Sequence, residues 1–434
     1  MRSDSALLLL GLADAALSTA SVQARDTPAV LAMPFVYERD TSLRLSRRSN
    51  TLDVDAGGEI VPGIFPAMRT FAANFTYGTP PQHFQAYLET VTNGCWLVTA
   101  RGSCSDSDCA DEWGSYNITN STSATELDEP FDTWFSTLGS EHLNGSFVTD
   151  NLTIGGATLK DMKMGLFDPS QYGDNTLGLG YGNESSVSLT QSLADAGVIN
   201  SPSFSIYDNT VLFGGVNKAK YNGSLETFPI VNSSTSSLDR ALRLNMEDIY
   251  FDGKSISSDK LFPLDAIFDV QVPYTYIPVS VAEALSKKIE TASEPNYGGL
   301  LNFSCNALHN DSKISFKFGD TGFEFDLEEF IVYDEMDETC FLKIASYNGT
   351  IDEGKIILGA DFINKTYAVF DLENDEISLA KRTWTDAEDD IVEIKSGKNG
   401  VPGTKDHDSA GTRVGMSVGV TTLLVVSAMF AMAI

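Results

Sequence analysis

The sequence is short of histidine, of positive charge and of long hydrophobic runs, and each shortage removes a class of function. Its four histidines, at positions 83, 142, 309 and 407, are scattered without the close spacing a metal site needs. No nucleophile with a nearby base signature accompanies them, and no metal or cofactor is implied. Lysine and arginine number 29 against 60 acidic residues, a formal net charge of -31, which excludes nucleic acid as a partner held by charge attraction. Helical periodicity is sparse, confined to pieces such as Ser188 to Ala196 and Val279 to Thr291. Uninterrupted apolar stretches occur only at the two ends.

Those ends read as targeting signals. Arg2, the apolar stretch Ala6 to Leu17 and the small residues around Val22-Gln23-Ala24 have the layout of a secretory signal peptide over 1–24; Asp14 and the short length argue against an anchor helix. At the other end, the tail from 412 to 434 has no charged residue beyond Arg413 and no basic segment after it, the pattern of a GPI-attachment signal. Ser409 is the first candidate for the lipid, with Asn399 or Gly400 as alternatives and a plain transmembrane anchor as the competing reading. A lipid anchor makes the membrane a partner and places the chain on the extracellular face of the plasma membrane or in the cell wall. Twelve Asn-X-Ser/Thr sequons, at Asn74, Asn117, Asn120, Asn144, Asn151, Asn183, Asn222, Asn232, Asn302, Asn310, Asn348 and Asn364, fit the same compartment.

Between the ends the chain divides by composition. Residues 25–48 are polar and end in Arg47-Arg48, which reads either as the processing site of a propeptide or as an exposed turn. From Arg69 to Trp384, short β-branched and aromatic alternations such as Ile314-Ser315-Phe316-Lys317-Phe318 are separated by Gly, Asn, Asp and Ser, which predicts an all-β region of mostly antiparallel strands. Residues 385–411 are rich in charge, Gly and Ser and are expected to form a disordered polar stalk. Five cysteines suit an oxidising compartment, and their spacing pairs Cys104 with Cys109 and Cys305 with Cys340. Cys95, left over beside Trp96, reads as a buried thiol, the alternative being a bond between molecules.

The segments Phe75-Thr76-Tyr77-Gly78-Thr79-Pro80-Pro81-Gln82, Leu88 to Val98, Leu177-Gly178-Leu179-Gly180-Tyr181, Leu212-Phe213-Gly214-Gly215, and the closing run Ile356 to Phe362 with Tyr367 to Leu372 and Ile377 to Ala380 together resemble the pepsin-like aspartic peptidases. The resemblance implies a bilobal double β-barrel or sandwich, with an N-terminal lobe over 70–222, a C-terminal lobe over 223–384 and a central active-site cleft. Cys104 and Cys109 fall where the family closes a small disulfide loop. The lipid-anchor pattern, dibasic site and sequons are similar to the yapsin-like fungal surface members.

The resemblance also implies where chemistry would sit. Each family loop carries Asp-Thr-Gly, in which two aspartates share a proton, the Thr hydroxyl braces the loops, and the Gly lets them approach without a Cβ. Here Glu89-Thr90-Val91-Thr92 and Asp269-Val270-Gln271-Val272 occupy those places. Glu89 displaces the carboxylate by about 1 Å, a shift able to cost ~100-fold in rate. Val91 and Gln271 are expected to push the loops apart, and Val270 lacks the second bracing hydroxyl. Phe135 falls where the flap carries a Tyr, so no phenol is supplied. Trp96, Thr92 and Val272 would line the cleft, although Trp96 reads equally well as core packing. The expectation is a monomeric surface glycoprotein, catalytically inactive, binding a peptide or cell-wall ligand in its cleft. The alternative is an acid endopeptidase using a Glu89/Asp269 pair.

Overall fold

Alternation along the chain decides the architecture. In Lys313–Phe318 the odd-numbered Lys313, Ser315 and Lys317 are half exposed, whereas Ile314, Phe316 and Phe318 are fully buried. This pattern recurs in a computed structural model of the chain, which describes residues 28–35, 71–91, 94–100, 113–135, 141–169, 174–182, 187–207, 209–231, 241–257, 261–289, 300–304, 311–334, 339–347 and 354–406. Three large sheets result, and the fold is all-β and bilobal.

The N-terminal sheet runs Ala72–Tyr77, Gln82–Glu89, Thr176–Gly178, Trp96–Val98, Ala157–Phe167, Glu141–Ile154 and Thr125–Phe135. Its first strand also pairs with Glu141–Ile154 through Thr76↔Thr153 and Tyr77↔Leu152, which closes a barrel. The C-terminal sheet has ten strands on its main path and branches, including Arg243–Phe251, Leu264–Phe268, Thr275–Pro278 and Lys355–Leu358. Helices are accessories. Leu189–Asp195 starts at Ser188, whose side chain accepts from the Gln191 N–H; Val279–Lys288 starts after Pro278 and ends on Lys287 and Lys288.

A third, seven-stranded sheet joins the lobes: Leu31–Pro34, Thr210–Phe213, Ser203–Tyr207, Thr366–Asp371, Glu376–Lys381, Leu225–Pro229 and Thr404–Asp406. It redraws the boundaries expected from the sequence. Strands assigned to the two lobes, on either side of residue 222, are shared in one sheet. Within the expected propeptide, Leu31–Pro34 forms the sheet's edge, with Leu31 and Met33 buried and its residues paired to 210–213.

The expected stalk is a correction in its larger part. Residues 385–406 are ordered: Ile391–Glu393 pairs with Gly215–Asn217, and Thr404–Asp406 runs parallel to Leu225–Pro229. Ile394 and Val401 are buried with Tyr221, Leu225 and Tyr367. Asn217 donates to Asp389 at 2.8 Å and accepts from the Asp390 N–H at 3.1 Å. Composition misled because docking onto an existing sheet needs few apolar residues once the backbone finds partners there.

The sequons divide by environment. Asn74, Asn120, Asn144 and Asn222 are exposed, whereas Asn117, Asn151, Asn302 and Asn364 are half-buried; Asn183, Asn232, Asn310 and Asn348 lie outside the described residues. The Asn151 amide donates to Thr79 Oγ1 at 3.1 Å and Ser123 Oγ at 3.2 Å, beside the buried Asp150, which accepts from Tyr116 at 2.6 Å. A sugar on that nitrogen would break the network. Glycopeptide mass spectrometry is expected to find Asn151 bare, and an occupied Asn151 would contradict this packing.

Candidate active site

Both candidate acids sit at strand ends beneath the lobes' junction. Gln82–Glu89 runs parallel to Thr176–Gly178, and the Leu179 N–H donates to the Glu89 carbonyl at 2.7 Å. Leu264–Phe268 runs parallel to Lys355–Leu358, and the Asp269 N–H donates to the Leu358 carbonyl at 3.0 Å. The two lobes therefore present their loops in the same way. Glu89 and Asp269 are 1% and 2% exposed, so their carboxyls are shielded from bulk water.

Each acid is held by its own loop. The Val91 N–H donates to Glu89 Oε1 at 2.7 Å, and the Gln271 N–H donates to Asp269 Oδ1 at 2.9 Å. The longer glutamate thus folds back onto the N–H two residues ahead, as the aspartate does. The charge at Asp269 is felt nearby: burial, together with that carboxylate, pushes the half-buried Tyr276 phenol up to about 12.

The loops have not separated, contrary to the expectation from Val91 and Gln271. Thr90 donates to the Phe268 carbonyl at 2.7 Å and accepts from the Val270 N–H at 3.2 Å, so one hydroxyl braces both loops. Val91 is accommodated sideways, buried against Ala241 and Ile267. Gln271 is half-buried, and its Nε2 is shielded from water without a hydrogen-bond partner among the described residues. Such an orphaned donor costs ~1–3 kcal/mol. Sequence reasoning missed this amide because glutamine is ordinarily a solvated residue.

Thr90→Val keeps the side-chain shape and removes the hydroxyl bonded to the Phe268 carbonyl and the Val270 N–H. It is expected to lower unfolding stability by ~2 kcal/mol in denaturant titration, with Thr90→Ser near the parent value.

The other candidates fall out differently. Trp96 is fully buried with Val98, Phe131, Leu143, Phe147 and Phe167, so it is core packing. Val272 is 6% exposed, and its carbonyl accepts from the Ala360 N–H. Phe135 ends the hairpin strand Thr125–Phe135, its backbone paired with Glu141. Cys95 is a buried free thiol, and desolvation pushes it up to about 12. Cys340 is disulfide-bonded. Thr92, Ser409, Cys104, Cys109 and Cys305 lie outside the described residues.

Two β lobes, a joining sheet and paired acidic loops define a pepsin-like protein, and the family model for eukaryotic aspartyl proteases matches residues 70–382. The chain belongs to that family. It is similar to the probable aspartic-type endopeptidase opsB of Aspergillus fumigatus, 28% identical over 93% of this chain and 88% of the relative. It is also similar to secreted aspartic protease 8 of Candida albicans, 27% identical over 73% and 76%, and to candidapepsin of Candida tropicalis, 26% identical over 74% and 81%.

Proposed function

We propose that this family member works at the cell surface as a binding or structural glycoprotein rather than as a peptidase. The observation that carries the reading is Gln271: a buried, unpartnered amide donor stands beside Asp269, where the family's fold leaves bare backbone. A side chain packed there, with its amide shielded from water, takes up space beside Asp269 that a lytic water shared between carboxylates would need. Val270 and Val91 point the same way, since they replace a bracing hydroxyl and an uncrowded backbone. The secreted relatives and the sequons support an extracellular address. Attachment of a lipid at Ser409 keeps the strand Thr404–Asp406, whereas attachment at Asn399 or Gly400 would remove it.

A second reading, an acid endopeptidase using Glu89 and Asp269, is favoured by one observation, the surviving Thr90 brace that keeps the two buried acids in one site. Incubating the secreted chain with an unfolded protein from pH 3 to 7, with and without pepstatin, separates the two. No inhibitor-sensitive cleavage is expected. Cleavage that pepstatin blocks and Asp269→Asn abolishes would establish the peptidase instead.

A further inference from the structure

Residues 28–35 lie outside the family-matched region, yet they alternate like a core strand: Ala29, Leu31, Met33 and Phe35 are buried, whereas Ala32 and Pro34 are exposed. Three distant parts of the chain build their seat. Leu31–Pro34 pairs antiparallel with Thr210–Phe213, and the Phe35 N–H donates to the Asn209 carbonyl at 2.9 Å. A Cβ on Gly155, which follows the strand Glu141–Ile154, would stand 2.9 Å from the Ala32 carbonyl oxygen, and one on Gly215 would stand 2.8 Å from Val30 Cγ1. Both glycines thus leave room for this segment. From the ordered stretch 385–406, the Glu393 carboxylate accepts from the Ala29 N–H at 3.2 Å.

Main-chain pairing combined with apolar anchors at alternate positions is the pattern by which an extended peptide adds to a sheet. The far end of the segment also reaches toward the first acidic loop. The ring centre of Phe35 is 4.2 Å from that of Phe71, whose carbonyl accepts from the Leu88 N–H at 2.9 Å, one residue before Glu89. Release of the segment would uncover the backbone edge of residues 210–213 and part of the cluster containing Leu212, Val216 and Ile394, on which Val30 packs.

These contacts bear on the dibasic pair Arg47-Arg48. Hydrolysis of the Arg48–Ser49 bond adds one water, leaves a carboxylate on Arg48 and an amine on Ser49, and breaks none of the bonds named above. We propose that the joining sheet carries a strand-binding groove for an extended peptide with apolar side chains at alternate positions, and that residues 25–48 stay in it as a second, non-covalent chain after a cut at Arg48. The expected propeptide is then a lasting part of the folded protein, whether or not the cleft is catalytic.

The full chain, its signal removed after Ala24, is cut in solution with a dibasic-specific endoprotease; a chain with a site-specific protease sequence inserted after Arg48 serves if that pair resists. At about 1 µM, gel filtration with intact-mass analysis is expected to find the N-terminal peptide in the same peak as the chain beginning at Ser49, in equal amounts, and to separate the two only in denaturant. A labelled synthetic peptide of residues 25–48, added in excess, is expected to exchange into the cut protein. The same peptide with Met33→Asp is expected to bind at least ~100-fold more weakly, since an unpaired carboxylate would have to be buried. A peak holding only the chain from Ser49, folded or not, overturns the proposal. Equal uptake of the two peptides overturns it as well, because the groove would then not read the buried side of the strand.

Discussion

The fourfold variant Glu89→Asp/Val91→Gly/Val270→Thr/Gln271→Gly is expected to cleave an unfolded protein at acid pH at least ~100-fold faster than the parent, in a pepstatin-sensitive manner. The scaffold already supplies what such a repair needs. Glu89 and Asp269 lie at matching strand ends, each with an N–H two residues ahead to hold one oxygen, and Thr90 still ties the loops. Shortening residue 89 returns the carboxyl toward a water shared with Asp269. Gln271→Gly removes the orphaned amide, and Val270→Thr restores the reciprocal hydroxyl. Val91→Gly has a cost, because Val91 fills space against Ala241 and Ile267 and its removal leaves a cavity worth ~1–3 kcal/mol. Cleavage by Glu89→Asp alone at the full level would mean that the two side chains at the glycine positions do not obstruct the site. Absence of activity in a folded fourfold variant would place the obstacle elsewhere in the cleft.

The loops themselves were legible in the sequence through the resemblance of their flanking segments, such as Phe75 to Gln82 and Leu177 to Tyr181, to the pepsin-like family. Their behaviour was only partly so. Val91 was expected to part the loops because a β-branched residue replaces glycine; its escape into a pocket formed by Ala241 and Ile267 depends on residues 150 and more positions away. Trp96 was ambiguous for a related reason, as a tryptophan opening a short apolar strand reads the same whether its neighbours are a groove or Phe131 and Phe147. The joining sheet was the least legible feature. Its strands come from five separated parts of the chain, and its outer edges come from segments whose composition is polar.

The polar C-terminal segment carries the last large effect. A chain ending at Trp384 is expected to melt about 5 °C below one ending at Asp408, a loss of ~3 kcal/mol, although the deleted residues lie wholly outside the family-matched region. The loss falls on the groups left behind. Val401 and Ile394 cover Tyr221, Leu225 and Tyr367, whose rings and side chains would face water. Asn217, fully buried, would lose both its acceptor at Asp389 and its donor from Asp390. The freedom regained by the deleted residues would not be recovered as stability, because those residues are absent from both states. Val401→Asp in the longer chain separates loss of packing from loss of chain length: it is expected to reproduce much of the drop, since a carboxylate cannot be buried against those tyrosines without a partner. Equal melting of the two chains would mean that 385–406 is a tether after all. A difference of the expected size would make it a strap, one that holds the sheet joining the lobes and, through Gly215–Asn217 and Leu225–Pro229, the geometry in which the two acidic loops meet.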